Sequence, residues 1–413
     1  MIHYDKFTLD NGLRVIVHKD KNTPLVAINL LYAVGSKDEN EEKTGFAHLF
    51  EHLMFGGSKN YPDFDMIVEE RGGELNAFTC NDYTNYYISM PLSELEIGLK
   101  LESDRMTNLI MSQKSLDTQK NVVIEEYKQR YLNQPYGDVW LLLRELSYTT
   151  HPYKWNTIGK DISHIEDANL DDVKAFYKKF YVPNNAILCI AGNVELENIK
   201  FLCEKHFSYI EKGEEITRKN IVEPKQNKSR ELMVERDVPQ DVIFITYPMS
   251  TRLEKGYYAF DLLSDILSNG RSSRLYNNLV KEKQIFTEVN AFISGDADNG
   301  LFILTGKYRD GISMKEGRDA LLEELRNISY EEILEDEFQK VKNKFESTMT
   351  FSQIKTLERA MNLCYFEFLG DIDQVNKEVD SYQALTVDYI QNLARQTFIE
   401  EKSNTLFYEA KKK

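Results

Sequence analysis

The sequence predicts an α+β fold built twice, as two tandem repeats of a sheet-plus-helices domain with helices packed on one face of each mainly antiparallel sheet. Three observations predict it. Strand-like stretches are grouped and followed by grouped helices instead of alternating strictly with them. The order of elements in the first half recurs in the second, and a connector of different composition lies between the two.

The first repeat opens with a hairpin over residues 7–9 and 13–18, because Asp10-Asn11-Gly12 offers the positive φ angles of a tight turn. A strand follows over 25–34. Residues 45–55 read as a helix, with Phe46, Leu49, Phe50, Leu53 and Met54 at i, i+3, i+4 spacing and a stop at Gly56-Gly57. Gly72-Gly73 precedes a strand-like stretch over 75–79, answered by another over 84–90. Long helical stretches over 92–111 and 115–132 come next, then helices near 136–146 and 170–180 and a strand at 186–191. Residues 216–230 hold five Lys or Arg against one Glu and include Pro224, the composition of an exposed connector. These patterns give a first domain at 1–208, a linker at 209–230 and a second domain at 231–413. The second begins with strands over 231–234 and 242–247 and a helix over 257–267 that ends near Gly270. Charged helices over 314–325 and 331–349 follow, and 404–408 parallels 185–190.

Acidic residues outnumber basic ones, 67 to 51, for a formal net charge of −16. A nucleic-acid partner is thereby excluded, since affinity for phosphates comes mostly from Lys and Arg. No stretch approaches the ~20 apolar residues that cross a bilayer. Asp5, Lys6 and Asp10 stand where a secretion signal would carry its apolar core. The four cysteines, Cys80, Cys189, Cys203 and Cys364, are scattered with no CxxC pair. Reduced, buried thiols in a cytoplasmic protein are the expectation.

Two of the seven histidines fall in His48-Leu49-Phe50-Glu51-His52. Residues at i and i+4 share one helical face, so His48 and His52 can present imidazoles to a single ion, with Glu51 beside them. Zinc hydrolases need this set: neutral nitrogen ligands, an open position for water, and a carboxylate near that water. A third ligand is required, and the best candidates lie in the later helix, at Glu125 and Glu126. Adjacent helical residues point ~100° apart, so only one of the two can face the histidines, and spacing leaves both open. Gln119, Val123, Glu126 and Arg130 form one stripe, with Gln119 placed to be a hydrogen-bond partner behind the ligand.

The pattern His48-x-x-Glu51-His52 resembles the inverted zinc motif of the pitrilysin/insulysin family of metallopeptidases. The resemblance extends through Asn121 to Glu126, Gly72-Gly73-Glu74-Leu75-Asn76-Ala77-Phe78-Thr79, His151-Pro152-Tyr153, Tyr181 to Ala186 and Gly270 to Leu275. It covers almost the whole chain and matches the two-domain, mitochondrial-processing-peptidase-like bacterial branch. It implies that His48, His52 and Glu126 bind Zn²⁺, so that Glu126 rather than Glu125 is the third ligand. It also implies that Glu51 is the general base of a zinc-dependent endopeptidase acting on short or unfolded peptides. Asn76, Ala77 and Phe78 match the family's edge strand, which takes an extended substrate by main-chain pairing.

Two departures stand out. Gln119 replaces a Glu found in many relatives seven residues before the zinc-binding Glu. The second half lacks the Arg and Tyr that usually complete the site, since the matching positions are Val280 and Thr287. Aligning the two repeats also sets Asp261, Ser264 and Asp265 opposite His48, Glu51 and His52, so the second half is expected to bind no zinc. These departures lead to the expectation of a dimer, with this chain as the zinc-bearing subunit and a homologous subunit supplying the Arg/Tyr pair. The alternative reading is a non-catalytic scaffold or peptide-binding subunit of the same family.

Overall fold

A computed structural model describes residues 1–411 and contains two sheets. The first has six strands: β1 (Asp5–Thr8), β2 (Arg14–Lys19), β3 (Leu25–Tyr32), β4 (Glu74–Thr79), β5 (Thr84–Pro91) and β6 (Ala186–Gly192), in the order β1-β2-β6-β3-β5-β4. The second has β7 (Arg230–Arg236), β8 (Val242–Pro248), β9 (Phe286–Ile293), β10 (Leu301–Tyr308) and β11 (Asn404–Ala410), in the order β7-β11-β8-β10-β9. Without β1, the two orders are the same when strands are counted along each half. The single parallel pair falls at the same place in both, β2 with β6 and β7 with β11, and every other pairing is antiparallel. The internal repeat is therefore one topology used twice.

The opening hairpin turns at Asn11-Gly12, where Gly12 has φ +88° and a Cβ would stand 2.7 Å from that of Asn184. Only glycine fits both the angle and the space. The long helices of the first half run Leu95–Asn108 and Gln113–Tyr127, shorter than the sequence periodicity suggests. The second of them widens into an i→i+5 turn over Lys128–Leu132, a distortion that often marks functional sites.

The chain divides into two compact units, and neither is continuous in sequence. One comprises Met1–Arg130, Trp155–Asn220 and Thr350–Lys377; the other comprises Tyr131–Lys154, Ile221–Met349 and Glu378–Lys413. The contiguous ranges 1–208 and 231–413 do not anticipate this exchange. In the first unit the helix Thr356–Leu369 lies on the sheet face formed by Ile16, Ala27, Leu31, Ile187, Cys189 and Ala191. In the second unit the helix Val139–Ser147 packs Val139 and Leu143 on Val242, Leu406 and Tyr408. Each repeat thus lends one helix to the other's sheet. Helices consequently lie on both faces of each sheet, several on one and the exchanged helix on the other, which corrects the one-face arrangement. The physical reason is visible in β3, LVAINLLY, and β6, AILCIAG, which are buried on both faces beyond Leu25 and read as apolar runs broken only by Asn29.

Candidate metal centre

The helix Phe46–Phe55 follows β3. Its apolar side, with Phe46, Ala47, Leu49, Phe50, Leu53 and Met54 buried, fixes its rotation about its own axis. Phe50 stacks on Phe176 at 5.1 Å and on Tyr181 at 5.0 Å, tying the helix to the segment Leu170–Phe180 and the turn after it. The helix N-terminus is held by a buried acid, as Glu39 accepts the Gly45 N–H on Oε2 (2.9 Å) and the Ala47 N–H on Oε1 (2.8 Å). Burial raises the Glu39 carboxyl to about 8, against the pull of those two N–H donors.

With one side committed to the core, His48 and His52 point the other way, toward the helix Gln113–Tyr127. Glu126 Oε2 lies 3.5 Å from His48 Nε2 and 3.3 Å from His52 Nε2. A tetrahedral ion with bonds of ~2.0–2.1 Å to nitrogen and oxygen has ligand atoms about 3.3–3.5 Å apart. Both carboxylate-to-imidazole separations match this spacing, the three ligand atoms all lie within 4.8 Å of one another, and these half-buried side chains form the one such cluster among the described residues. Burial lowers the His48 imidazole to about 4, although the Glu126 charge opposes it. His48 is thus neutral at pH 7, the form in which it can ligate a metal. Burial works to raise Glu126, but the His52 hydrogen bond and the Arg130 charge are among the interactions that outweigh it and hold the carboxyl below its ordinary value.

The tie between the adjacent acids is resolved by geometry. Glu125 is exposed and pairs with Lys128 at 2.8 Å, one turn further on. Arg130, rather than Gln119, is the partner found along the Glu126 stripe, at 2.9 Å from Oε1. Glu51 is mostly buried, and burial raises its carboxyl. Its Oε2 accepts the hydroxyl of Thr79 at 2.6 Å. Thr79 ends β4, the outermost strand of its sheet, so the edge strand and the carboxylate beside the histidines are linked by one hydrogen bond. Asn76 and Phe78 expose their side chains on this strand, Ala77 is half-buried, and the Ala77 N–H is donated to the Asn76 side-chain oxygen (2.8 Å). Sequence reasoning named Arg130 and Thr79 without giving either a role at the site, and it missed Glu39. Thr79 stands next to the segment it singled out, Arg130 is at i+4 from Glu126, and Glu39 gave no local signal.

The helix Lys255–Ser268 holds the equivalent place in the second sheet's repeat, between β8 and β9. There Asp261 accepts the Tyr382 hydroxyl at 2.5 Å, and Asp265 accepts the Asn269 amide at 2.5 Å. Val280 packs at the edge of that unit's core, and the Thr287 hydroxyl bonds the Lys307 carbonyl at 3.3 Å.

A twice-used sheet topology with one His₂Glu cluster and an adjacent acid defines a metallopeptidase-type architecture with one metal-competent repeat. The chain belongs to peptidase family M16, the insulinase family. Residues 14–149 match the model described as insulinase (peptidase family M16), and residues 167–345 match the one described as the M16 inactive domain. The chain is 28% identical over 414 aligned residues to "Zinc protease PqqE" of Helicobacter pylori, spanning 98% of this chain and 92% of that one. It is 24% identical to "Uncharacterized zinc protease YmxG" of Bacillus subtilis, spanning 96% of each. A crystal structure of a protease from Helicobacter pylori superposes with a TM-score of 0.93 at 28% identity, covering 99% of this chain and all of that one. Pitrilysin shares the fold at a TM-score of 0.78 and 17% identity, with 99% of this chain matching 45% of that protein. Among the described residues, no helix is long and apolar enough to cross a membrane.

Proposed function

We propose that this chain is a zinc-dependent endopeptidase hydrolysing short or unfolded peptides, and that it is the zinc-bearing subunit of a two-chain enzyme. The observation that carries the proposal is the convergence of His48, His52 and Glu126, with their ligand atoms within 4.8 Å of one another, next to Glu51. Zinc held by these three residues supplies a Lewis acid that acidifies water and polarises a peptide carbonyl. Glu51, with Oε2 held by Thr79, takes the proton of the attacking water and returns it to the leaving amine nitrogen. The open edge of β4 accepts the substrate as an added strand, and the Ala77 N–H passes from the Asn76 side chain to a substrate carbonyl. Val280 and Thr287 offer neither the charge nor the phenol of the family's Arg/Tyr pair, which is the support for a homologous partner that supplies it. We place the enzyme in the cytoplasm, whose thiol pool ordinarily keeps free cysteines reduced.

The test is incubation of the purified full chain with a mixed peptide library, alone, with chelator, and with zinc restored. Cleavage that chelator abolishes and zinc restores is expected, weak for the chain alone and strengthened by a homologous subunit. Full zinc-dependent cleavage by the chain alone would overturn the obligatory partner. A library bound but left uncut with zinc and a homologous subunit present would favour the scaffold reading.

A further inference from the structure

Two of the four free cysteines, Cys189 and Cys364, meet in the core of the first unit. Cys189 lies on β6, on the face covered by the exchanged helix Thr356–Leu369, and both side chains are fully buried. The helix comes close to the sheet because the interface is built on small side chains: Ala27, Cys189 and Ala191 from the strands, Ala360 and Cys364 from the helix. The Cys364 sulfur reaches down to the strand backbone, 3.7 Å from the carbonyl oxygens of both Asn29 and Ile187. Asn29 is directly opposite Cys189 in the β3–β6 register, and Ile187 precedes Cys189 by two residues on the same face. These contacts bring the Cys364 sulfur beside the Cys189 side chain, within hydrogen-bonding reach of its thiol. Neither thiol belongs to the metal centre.

We propose that Cys189 and Cys364 are a latent disulfide, which on oxidation staples the helix Thr356–Leu369 to the sheet of the first unit. The oxidant is a small disulfide such as oxidised glutathione. One protein thiol loses its proton and attacks that disulfide, forming a mixed disulfide and releasing one glutathione thiolate. The second protein thiol, deprotonated in turn, attacks the sulfur of the first and expels the other glutathione. The two protein thiols lose two electrons and two protons, and the small disulfide becomes two thiols. Burial pushes the Cys189 thiol well above its ordinary value, so the exchange runs when the segment opens and is sealed again when it closes. The rest of the exchanged segment is tied at its rim: Arg359 to Asp20, Lys6 to Glu367 at 2.9 Å, and Asn376 to the Ile2 N–H at 2.6 Å. The disulfide would add a covalent tie at its centre and close a loop through nearly half the chain, the kind of loop for which cross-linking removes most freedom from the unfolded state.

The test equilibrates the full chain with oxidised glutathione at a sub-denaturing urea concentration, returns it to buffer, and alkylates free thiols after unfolding. Two alkylated cysteines, Cys80 and Cys203, and one cross-linked peptide joining Cys189 to Cys364 are expected. The thermal midpoint should rise by about 5–10 °C over the dithiothreitol-treated chain. C189S and C364S should lose both the cross-link and the rise; should either fail to fold, the peptide map of the natural chain decides alone. Four alkylated cysteines, or a cross-link that takes in Cys80 or Cys203 instead, would overturn the proposal.

Discussion

Glu39 is where the support of the metal centre can be separated from its chemistry. It is buried, and its two oxygens accept the Gly45 and Ala47 N–H groups at 2.9 and 2.8 Å, ahead of the first ligand in the helix Phe46–Phe55. Glu39→Gln keeps the shape but offers one carbonyl oxygen where two oxygens stood, so one buried N–H loses its acceptor, at a cost of about 1–3 kcal/mol. The pH dependence works in the opposite direction. Burial raises the carboxyl from 4.5 to about 8 in the folded chain. A raised carboxyl favours folding below its unfolded value and loses that contribution as pH climbs toward the folded one. Relative to Glu39→Gln, the natural chain should therefore lose about 1.4 kcal/mol per pH unit between roughly pH 4.5 and 8, at most about 4–5 kcal/mol, and level off above that. Urea unfolding of both chains at half-unit steps from pH 5 to 9 measures the difference. The variant should be the less stable at pH 5 and gain steadily up to pH 8. A difference that stays constant across this range would mean that Glu39 carries the same charge in the folded and unfolded chains and would rule out a raised carboxyl.

Further outcomes follow from the same contacts. Glu126→Ala should abolish stoichiometric zinc binding, whereas Glu125→Ala, which removes only an exposed pair with Lys128, should leave zinc content unchanged and shift stability by less than about 0.5 kcal/mol; metal analysis after gel filtration distinguishes the two. Arg130→Met removes the partner of Glu126 Oε1 and should weaken zinc binding about 10–100-fold, measured by competition with a chromophoric chelator. Thr79→Val should lower kcat with little change in zinc affinity, because Thr79 touches Glu51 and no ligand. Leu363→Ala, on the buried face of the exchanged helix, should cost about 2–5 kcal/mol in urea unfolding.

What the sequence made legible was local or repeated. His48, Glu51 and His52 lie within one helical turn or so, and the i, i+4 rule alone puts the imidazoles on one face. Glu126 was a tie on spacing, broken in the sequence only by family resemblance. In the structure it is broken by rotation about the helix axis, with Glu125 turned to solvent and Lys128. The duplication was legible because element order survives divergence, and β2-β6-β3-β5-β4 reappears as β7-β11-β8-β10-β9. The exchange of helices was not: periodicity marks a helix near 136–146 without saying which sheet it covers, and the helix Thr356–Leu369 was not among the stretches read from the sequence. The nearly unbroken apolar runs of β3 and β6 carried the clue that both faces need a cover. Glu39 and Thr79 were silent for a similar reason. Their roles depend on a loop conformation and on a strand end brought against a helix, neither of which has a period to read.

The central claim is that His48, His52 and Glu126 hold one zinc ion whose peptide chemistry depends on Glu51. Zinc content and peptide cleavage, measured side by side on the natively purified chain and on Glu51→Gln with a homologous subunit present, test it most directly. One zinc per chain is expected in both proteins, with cleavage by Glu51→Gln slower than by the natural chain by at least about 10²-fold. A natural chain that binds no zinc, or a Glu51→Gln chain that cleaves as fast as the natural one, would contradict it.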